Sequence, residues 1–357
     1  MKKIISIVGA RPQFIKAFIT IKAIEKSKKF KNILINTGQH FDYRMSKIFF
    51  DELKFNNRLI QINLKNKNNR LIRLSEMISK LTIILKKNKP DLVIVYGDTD
   101  STLAASITSK RLNIKLMHIE AGLRSNVLDM PEEQNRFITD YLSDYLIVPT
   151  DNAKKNLKSY RLSKKIYNFG DVMYDSILYY KKFINKEYSK NFKIRNNLND
   201  NFIFFTIHRD SNSNFKNIKK ILNQISTIDS IFFWPIHPKI IKIIDIYKIK
   251  IPKNIVCTSP LSYLDTIAAL MESKFVVTDS GGIQKEAYFL KKKSFVLRNE
   301  TEWNELIKLK AVKLIGDNIM EIKKNKNFLN SKILFLSKFG DGNSTKKISN
   351  LINKILS

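Results

Sequence analysis

The segment HIEAGLRSNVLDMPEEQNR, from His118 to Arg136, gathers three glutamates, one aspartate, two arginines and a histidine directly behind an apolar run. So many opposite charges in one short segment make it a candidate site for chemistry. A solvated loop can carry the same composition, so the cluster gains weight only from its neighbours. In VYGDTDSTLAAS, Asp98 follows a glycine that permits a tight strand exit, and Thr99 or Ser101 is available to cap the next helix. The competing role for Asp98 is that of one more cap residue. All four histidines, His40, His118, His208 and His237, fall at or just behind predicted strands. A lone histidine is more often structural than catalytic. His208, however, is followed by Arg209, and the pair offers two phosphate donors at one strand end. In TDSGGIQKEA, Ser280, Gly281 and Gly282 lie between an apolar run and a helix, where bare N–H groups and the helix dipole can cradle a diphosphate. Glu286, one turn further on, is placed to accept hydrogen bonds from a ribose. Neither GxxxxGK[ST] nor GxGxxG occurs at these strand ends, which argues against a P-loop ATPase and a nicotinamide enzyme.

The elements that must hold these residues are legible as a repeat. KIISIVG, ILINTG, LVIVYGD, LMHIEAG and YLIVPT are short, β-branched runs stopped by turn residues, the pattern of buried parallel strands. Helical periodicity fills Phe14 to Lys26, Leu74 to Lys87 and Ser101 to Lys110. After a polar stretch around Lys182 to Asn201 the pattern restarts with FIFFTIHRD, IFFWPIHP, FVVTDSGG, SFVLRNE and VKLIGD. The expected fold class is α/β, with two Rossmann-like doubly wound domains in tandem. The expected boundaries are 1–172 and 173–357. In such sheets ligands bind beyond the carboxyl ends of the strands, so a cleft between the domains is the expected site of chemistry.

Composition bounds the function classes. The chain of 357 residues is 43% hydrophobic and 11% aromatic, enough for a core in each domain. No apolar run is long enough to cross a bilayer, and the first one is interrupted by Arg11 too soon for a signal peptide, so a cytoplasmic protein without membrane association is expected. The lone Cys257 can form no internal disulfide and is read as a small core residue near a strand end. The net charge of +32 invites a nucleic-acid reading, but the lysines are scattered with asparagine and isoleucine along the whole chain and no nucleic-acid partner is expected. A positive field does favour an anionic small-molecule substrate.

Taken in order, GARPQFIKA, TGQH, GDTDST, HIEAGLRS, MPEEQNR, the strand-end HR, TDSGGIQKEA and RNETEW resemble the non-hydrolysing UDP-N-acetylglucosamine 2-epimerase family across nearly the whole chain. The resemblance implies the two-domain glycosyltransferase-B fold, a UDP-sugar in the interdomain cleft, and a last helix packing back on the first domain. It implies Asp98, Glu120, Glu132 and His208 as catalytic residues. It assigns Arg11, Lys16, Arg136, Arg209, Ser280, Gly281, Gly282 and Glu286 to substrate binding. The implied reaction is epimerisation at C2 by anti elimination of UDP and its re-addition, for surface polysaccharide such as lipopolysaccharide or capsule. It calls for no metal or cofactor, and a homodimer is the common state. Asp98 and Glu132 are the favoured proton shuttles. A glycosyltransferase of the same fold and a hydrolysing epimerase are the alternatives.

Several positions depart from the family pattern. Ser211 stands in HRDSNSN before Asn212, Lys285 replaces the first acid of QEEA, and Thr266 occupies a place often held by an aromatic residue. GARPQF replaces the commoner GTRPE opening, and TEW replaces TERPE. These last two resemble branches that act on modified UDP-sugars, including UDP-2,3-diacetamido-2,3-dideoxyglucuronate, so the sugar stays open between that uronate and UDP-GlcNAc.

Overall fold

In the computed structural model, residues 1–39, 58–66, 69–159, 165–209, 211–335 and 337–357 are described; His40 lies outside them. The apolar runs form the centres of two all-parallel sheets. The first comprises β1 (Lys2–Val8), β2 (Phe30–Asn36), β3 (Arg58–Gln61), β4 (Leu92–Tyr96), β5 (Leu116–Ile119), β6 (Tyr145–Val148) and β7 (Lys165–Asn168), in the order β3-β2-β1-β4-β5-β6-β7. The second comprises β8 (Ile203–Thr206), β9 (Phe232–Pro235), β10 (Ile255–Thr258), β11 (Val276–Thr278), β12 (Ser294–Val296) and β13 (Val312–Leu314), in the order β10-β9-β8-β11-β12-β13. Both are doubly wound. Their order reverses between β1 and β4 and between β8 and β11, the switch points at which α/β sheets open to ligands.

Helices cover the sheets because their apolar residues recur at helical spacing. Met77, Leu81 and Leu85 of the helix Arg70–Asn88 pack on Ile5, Ile7, Ile33, Val93 and Val95. Ile218, Ile221, Leu222 and Ile225 of the helix Phe215–Ile225 join Phe205, Phe232 and Trp234 in the second core. Asn69 and Asn214 cap the two helices by accepting backbone N–H groups.

The chain divides into two compact units, Met1–Ser176 with Ser337–Ser357, and Ile177–Leu336. The terminal helix Ser344–Leu356 therefore belongs to the first unit, where Ser349 donates to the carbonyl of Ala23. Asp175 fastens its start by accepting the N–H groups of Ser344 and Thr345 at 2.9 and 3.0 Å. Burial pushes the Asp175 carboxyl up to about 6, with Asp171 and Asp341 acting in the same direction against those two donors. The native chain thus holds a proton that the unfolded chain releases near its ordinary value, about 3.9, and stability falls as pH rises from about 4 to about 6. Asp175→Asn is expected to flatten this part of the profile. Urea melts across that window check it; an unchanged slope would refute the assignment.

One expectation is corrected. Cys257 is exposed on the edge strand β10, which sends Ile255 but not Cys257 into the core.

Candidate active site

At the first switch point three loops are tied together by side chains. Gln13, in the helix Arg11–Glu25 that follows β1, accepts the N–H groups of Gly9 (2.8 Å) and Ala10 (3.1 Å), and its amide donates to the carbonyl of Tyr96 and to the hydroxyls of Thr99 and Thr102. A glutamate here could not donate to Tyr96, so the GARPQ opening is matched to its own surroundings. Thr99, not Asp98, caps the helix Asp100–Arg111, accepting the N–H of Thr102. Asp98 instead pairs with Arg136, whose other terminal nitrogen binds Glu133 at 2.7 Å.

Glu120 comes to the same rim from β5. Its carboxylate pairs with Lys16, and both side chains are almost fully covered. Gly97 has φ +62°, a conformation that favours glycine, and a Cβ there would stand 3.3 Å from Glu120 Oε2, close enough to press on that carboxylate. Asp98 and Glu120 thus lie on adjoining turns. Glu120 itself has φ +73°, a left-handed conformation that costs a non-glycine residue roughly 1–3 kcal/mol and persists only where its surroundings impose it.

Pro131 opens the helix Pro131–Leu142, whose first turn carries Glu132 and Glu133. The 3.6-residue period turns these neighbours to different faces. Glu133 is buried, accepts from the backbone and hydroxyl of Ser125 and from Asn126, and serves as framework. Burial pushes its carboxyl up, but the Ser125 N–H and Arg136 outweigh this and hold it below the ordinary range. Glu132 is exposed, and its charge acts on Arg70. Arg70 binds Asp100 through Nε at 2.9 Å, and Arg73 and Asn135 complete the surroundings of that buried acid. Burial raises the Asp100 carboxyl, and Arg70, Asn135 and Arg73 together bring it below the ordinary range.

The second switch point is organised by a residue whose role was not read from sequence. Asp279, fully buried at the end of β11, accepts the N–H groups of His208 and Arg209 and the amide of Asn212, and faces His208 Nδ1 at 3.0 Å. Burial raises its carboxyl, and His208 with those backbone donors more than reverses the effect. This fixes the His208 ring by one nitrogen while the side chain remains 43% exposed. Arg209 is half-buried beside it. Asn212 is buried and also donates to the carbonyl of Leu297, so Ser211 before it leaves that contact intact.

Ser280 caps the helix Gly281–Phe289 by accepting the N–H of Ile283. A Cβ at Gly281 would meet Glu302 Oε1 at 2.1 Å, so a side chain there would have to displace the Glu302 carboxylate. Gly282 shares this turn, whereas Glu286 is buried. Two departures from the family pattern meet here, with Lys285 Nζ lying 4.0 Å from the centroid of the Trp303 ring, both side chains buried. His237 caps the helix Pro238–Ile246 by accepting the N–H of Lys239, a structural role. Arg11 begins the helix after β1 and is half-buried. Among the described residues no cluster of three or more His, Cys, Asp or Glu side chains could hold a metal ion.

Two Rossmann-like units with acids at one switch point and a histidine, an arginine and a helix N-terminus at the other define an α/β protein of the glycosyltransferase-B type. A family model described as UDP-N-acetylglucosamine 2-epimerase matches residues 22–353, and the chain belongs to that family. It is 42% identical to a UDP-N-acetylglucosamine 2-epimerase homolog of Methanococcus maripaludis, over 99% of this chain and 100% of that one. It is 39% identical to the UDP-2,3-diacetamido-2,3-dideoxy-D-glucuronate 2-epimerase of Pseudomonas aeruginosa, over 88% of each. The crystal structure of the UDP-GlcNAc 2-epimerase of Methanocaldococcus jannaschii in complex with UDP-GlcNAc and UDP superposes with a TM-score of 0.91 at 33% identity, covering 99% of each chain.

Proposed function

We propose that this protein inverts C2 of a UDP-linked 2-acetamido sugar without hydrolysing it. The observation that carries the reading is the pair of acids, Asp98 and Glu120, brought onto adjoining turns at the first switch point, each with its own cation. A base removes the C2 proton as the bond from C1 to the UDP oxygen breaks, giving UDP and a 2-acetamidoglucal. UDP then adds back at C1 while a proton is delivered to the opposite face of C2. Asp98, with its side chain 31% exposed, and Glu132, exposed in the first turn of its helix, act as the proton shuttles in this reading. Glu120 is held by Lys16 and stabilises the reacting ring. In the second unit, His208, Arg209 and the Ser280–Gly282 turn receive the departing diphosphate, and Glu286 faces the ribose. Arg136 orients Asp98. The similarity to both kinds of epimerase supports two candidate sugars, UDP-GlcNAc and the diacetamido uronate. Such products supply surface polysaccharide, made by a cytoplasmic homodimer; among the described residues no helix is long and apolar enough to cross a membrane.

Proton NMR of each UDP-sugar in D2O tests the reading. Deuterium entering C2, with the C2 epimer appearing and UDP still attached, is the expected result. Release of free sugar would identify a hydrolysing enzyme. Tight UDP binding without exchange in either sugar would sink the epimerase reading in favour of a transferase.

A further inference from the structure

His118 is completely buried, and each of its ring nitrogens faces an acceptor. Nε2 lies 2.7 Å from the carbonyl oxygen of Gly97, and Nδ1 lies 2.8 Å from Asp140 Oδ1. A carbonyl can only accept, so Nε2 carries a hydrogen. The other oxygen of Asp140 accepts from Arg124 Nη1 at 2.8 Å and from the N–H of Gly122 at 3.1 Å. Asp140 thus meets the ring with one oxygen and the Arg124 and Gly122 donors with the other. Arg124 is itself held against the Phe137 ring, 4.2 Å from its centroid.

What this buried group joins is informative. Gly97 precedes Asp98, and Gly122 follows Glu120 by two residues. One carboxylate therefore holds the backbone of the Glu120 turn directly and the backbone of the Asp98 turn through His118. Neither side chain is open to a ligand, since Asp140 is as buried as His118. The left-handed φ of Glu120 needs outside support, and the Gly122 N–H to Asp140 supplies one constraint while the Glu120 N–H to the Ile147 carbonyl supplies another.

We propose that His118 and Asp140 are positioning residues that set the Asp98 and Glu120 carboxyl groups at one working separation. The inference rests on the reading that these two acids act on the sugar. Displacing a catalytic group by about 1 Å costs on the order of a hundredfold in rate, and the effect falls on kcat when the nucleotide is anchored elsewhere.

The test compares His118→Gln with His118→Asn, using C2 exchange, UDP binding and thermal melting. The Gln amide reaches the Nε2 position and can donate to Gly97; the shorter Asn amide reaches only the Nδ1 position and Asp140. His118→Asn is expected to lose about tenfold to a hundredfold in kcat with KM and UDP affinity little changed, and His118→Gln to recover most of it. Asp140→Asn can still accept from Arg124 and Gly122 while donating to a singly protonated His118, so it should exceed Asp140→Ala in kcat. Equal kcat for the Gln and Asn variants, or losses confined to KM or melting temperature, would overturn the proposal. Absence of exchange from the wild-type enzyme would instead defeat the epimerase reading itself, and the two failures are therefore distinct.

Discussion

Replacing Asp98 by Asn is expected to lower C2 exchange by about 10²–10⁴-fold, the range for loss of a general acid–base group, while UDP affinity stays near that of the wild type. The substitution preserves volume, and the amide oxygen still accepts from Arg136, so the Arg136–Glu133 framework is retained. What disappears is the capacity to take a proton. Asp98 is proposed as the shuttle in preference to Glu120 because its side chain is 31% exposed and that of Glu120 is 10% exposed. Glu120→Gln behaves differently. It leaves the covered ammonium of Lys16 without its carboxylate, and breaking a buried pair from one side costs about 3–5 kcal/mol, so activity and melting temperature fall together. Melting curves alongside exchange rates separate the two kinds of loss. If Asp98→Asn kept more than about a tenth of the wild-type exchange, Asp98 would only be an anchor for Arg136, and the proton transfers would pass to Glu132.

The parts of the fold legible in the sequence are those in which local pattern and burial agree. Strands such as LVIVY at 92–96 are buried on both faces and therefore read as unbroken apolar runs. The strands that escaped, β3 (RLIQ), β7 (KIYN) and β10 (IVCT), are all edge strands, short and partly polar, and so lack that signal. Cys257 was misplaced for the same reason. At the site, the strand-end acids and His208 were legible because a doubly wound sheet delivers strand ends to its ligand edge. Their partners were not. Asp140 meets His118 only because one turn of the helix Pro131–Leu142 lies over β5, and Asp279 meets His208 only because β11 pairs with β8. Such contacts depend on register between distant segments, for which a single sequence carries no local sign. The GARPQ and TEW marks also change meaning. Gln13 and Trp303 are buried, so they record the branch of the family through internal packing.

Lys285→Glu is expected to destabilise the second unit by about 3–5 kcal/mol, because it buries a carboxylate against the negative face of an aromatic ring. The Lys285 ammonium lies 4.0 Å from the Trp303 centroid, the arrangement that attracts a cation and repels an anion. The family pattern that this chain resembles has an acid at position 285 and an arginine at 303, a pair of opposite charges. In this chain a lysine and a tryptophan stand at those positions and form a cation–π contact. Trp303→Arg places two cations side by side in the interior and should destabilise comparably. The double variant restores an acid–guanidinium pair, and its loss should be smaller than the sum of the single losses by about 1–3 kcal/mol, the coupling expected of residues in contact. Denaturant melts of the four proteins give that coupling directly. Glu302 beside Trp303 lies against Gly281, so if the Ser280–Gly282 turn receives the diphosphate as proposed, UDP affinity should fall in each single variant and recover in the double. Additive losses would mean that the contact carries no stability.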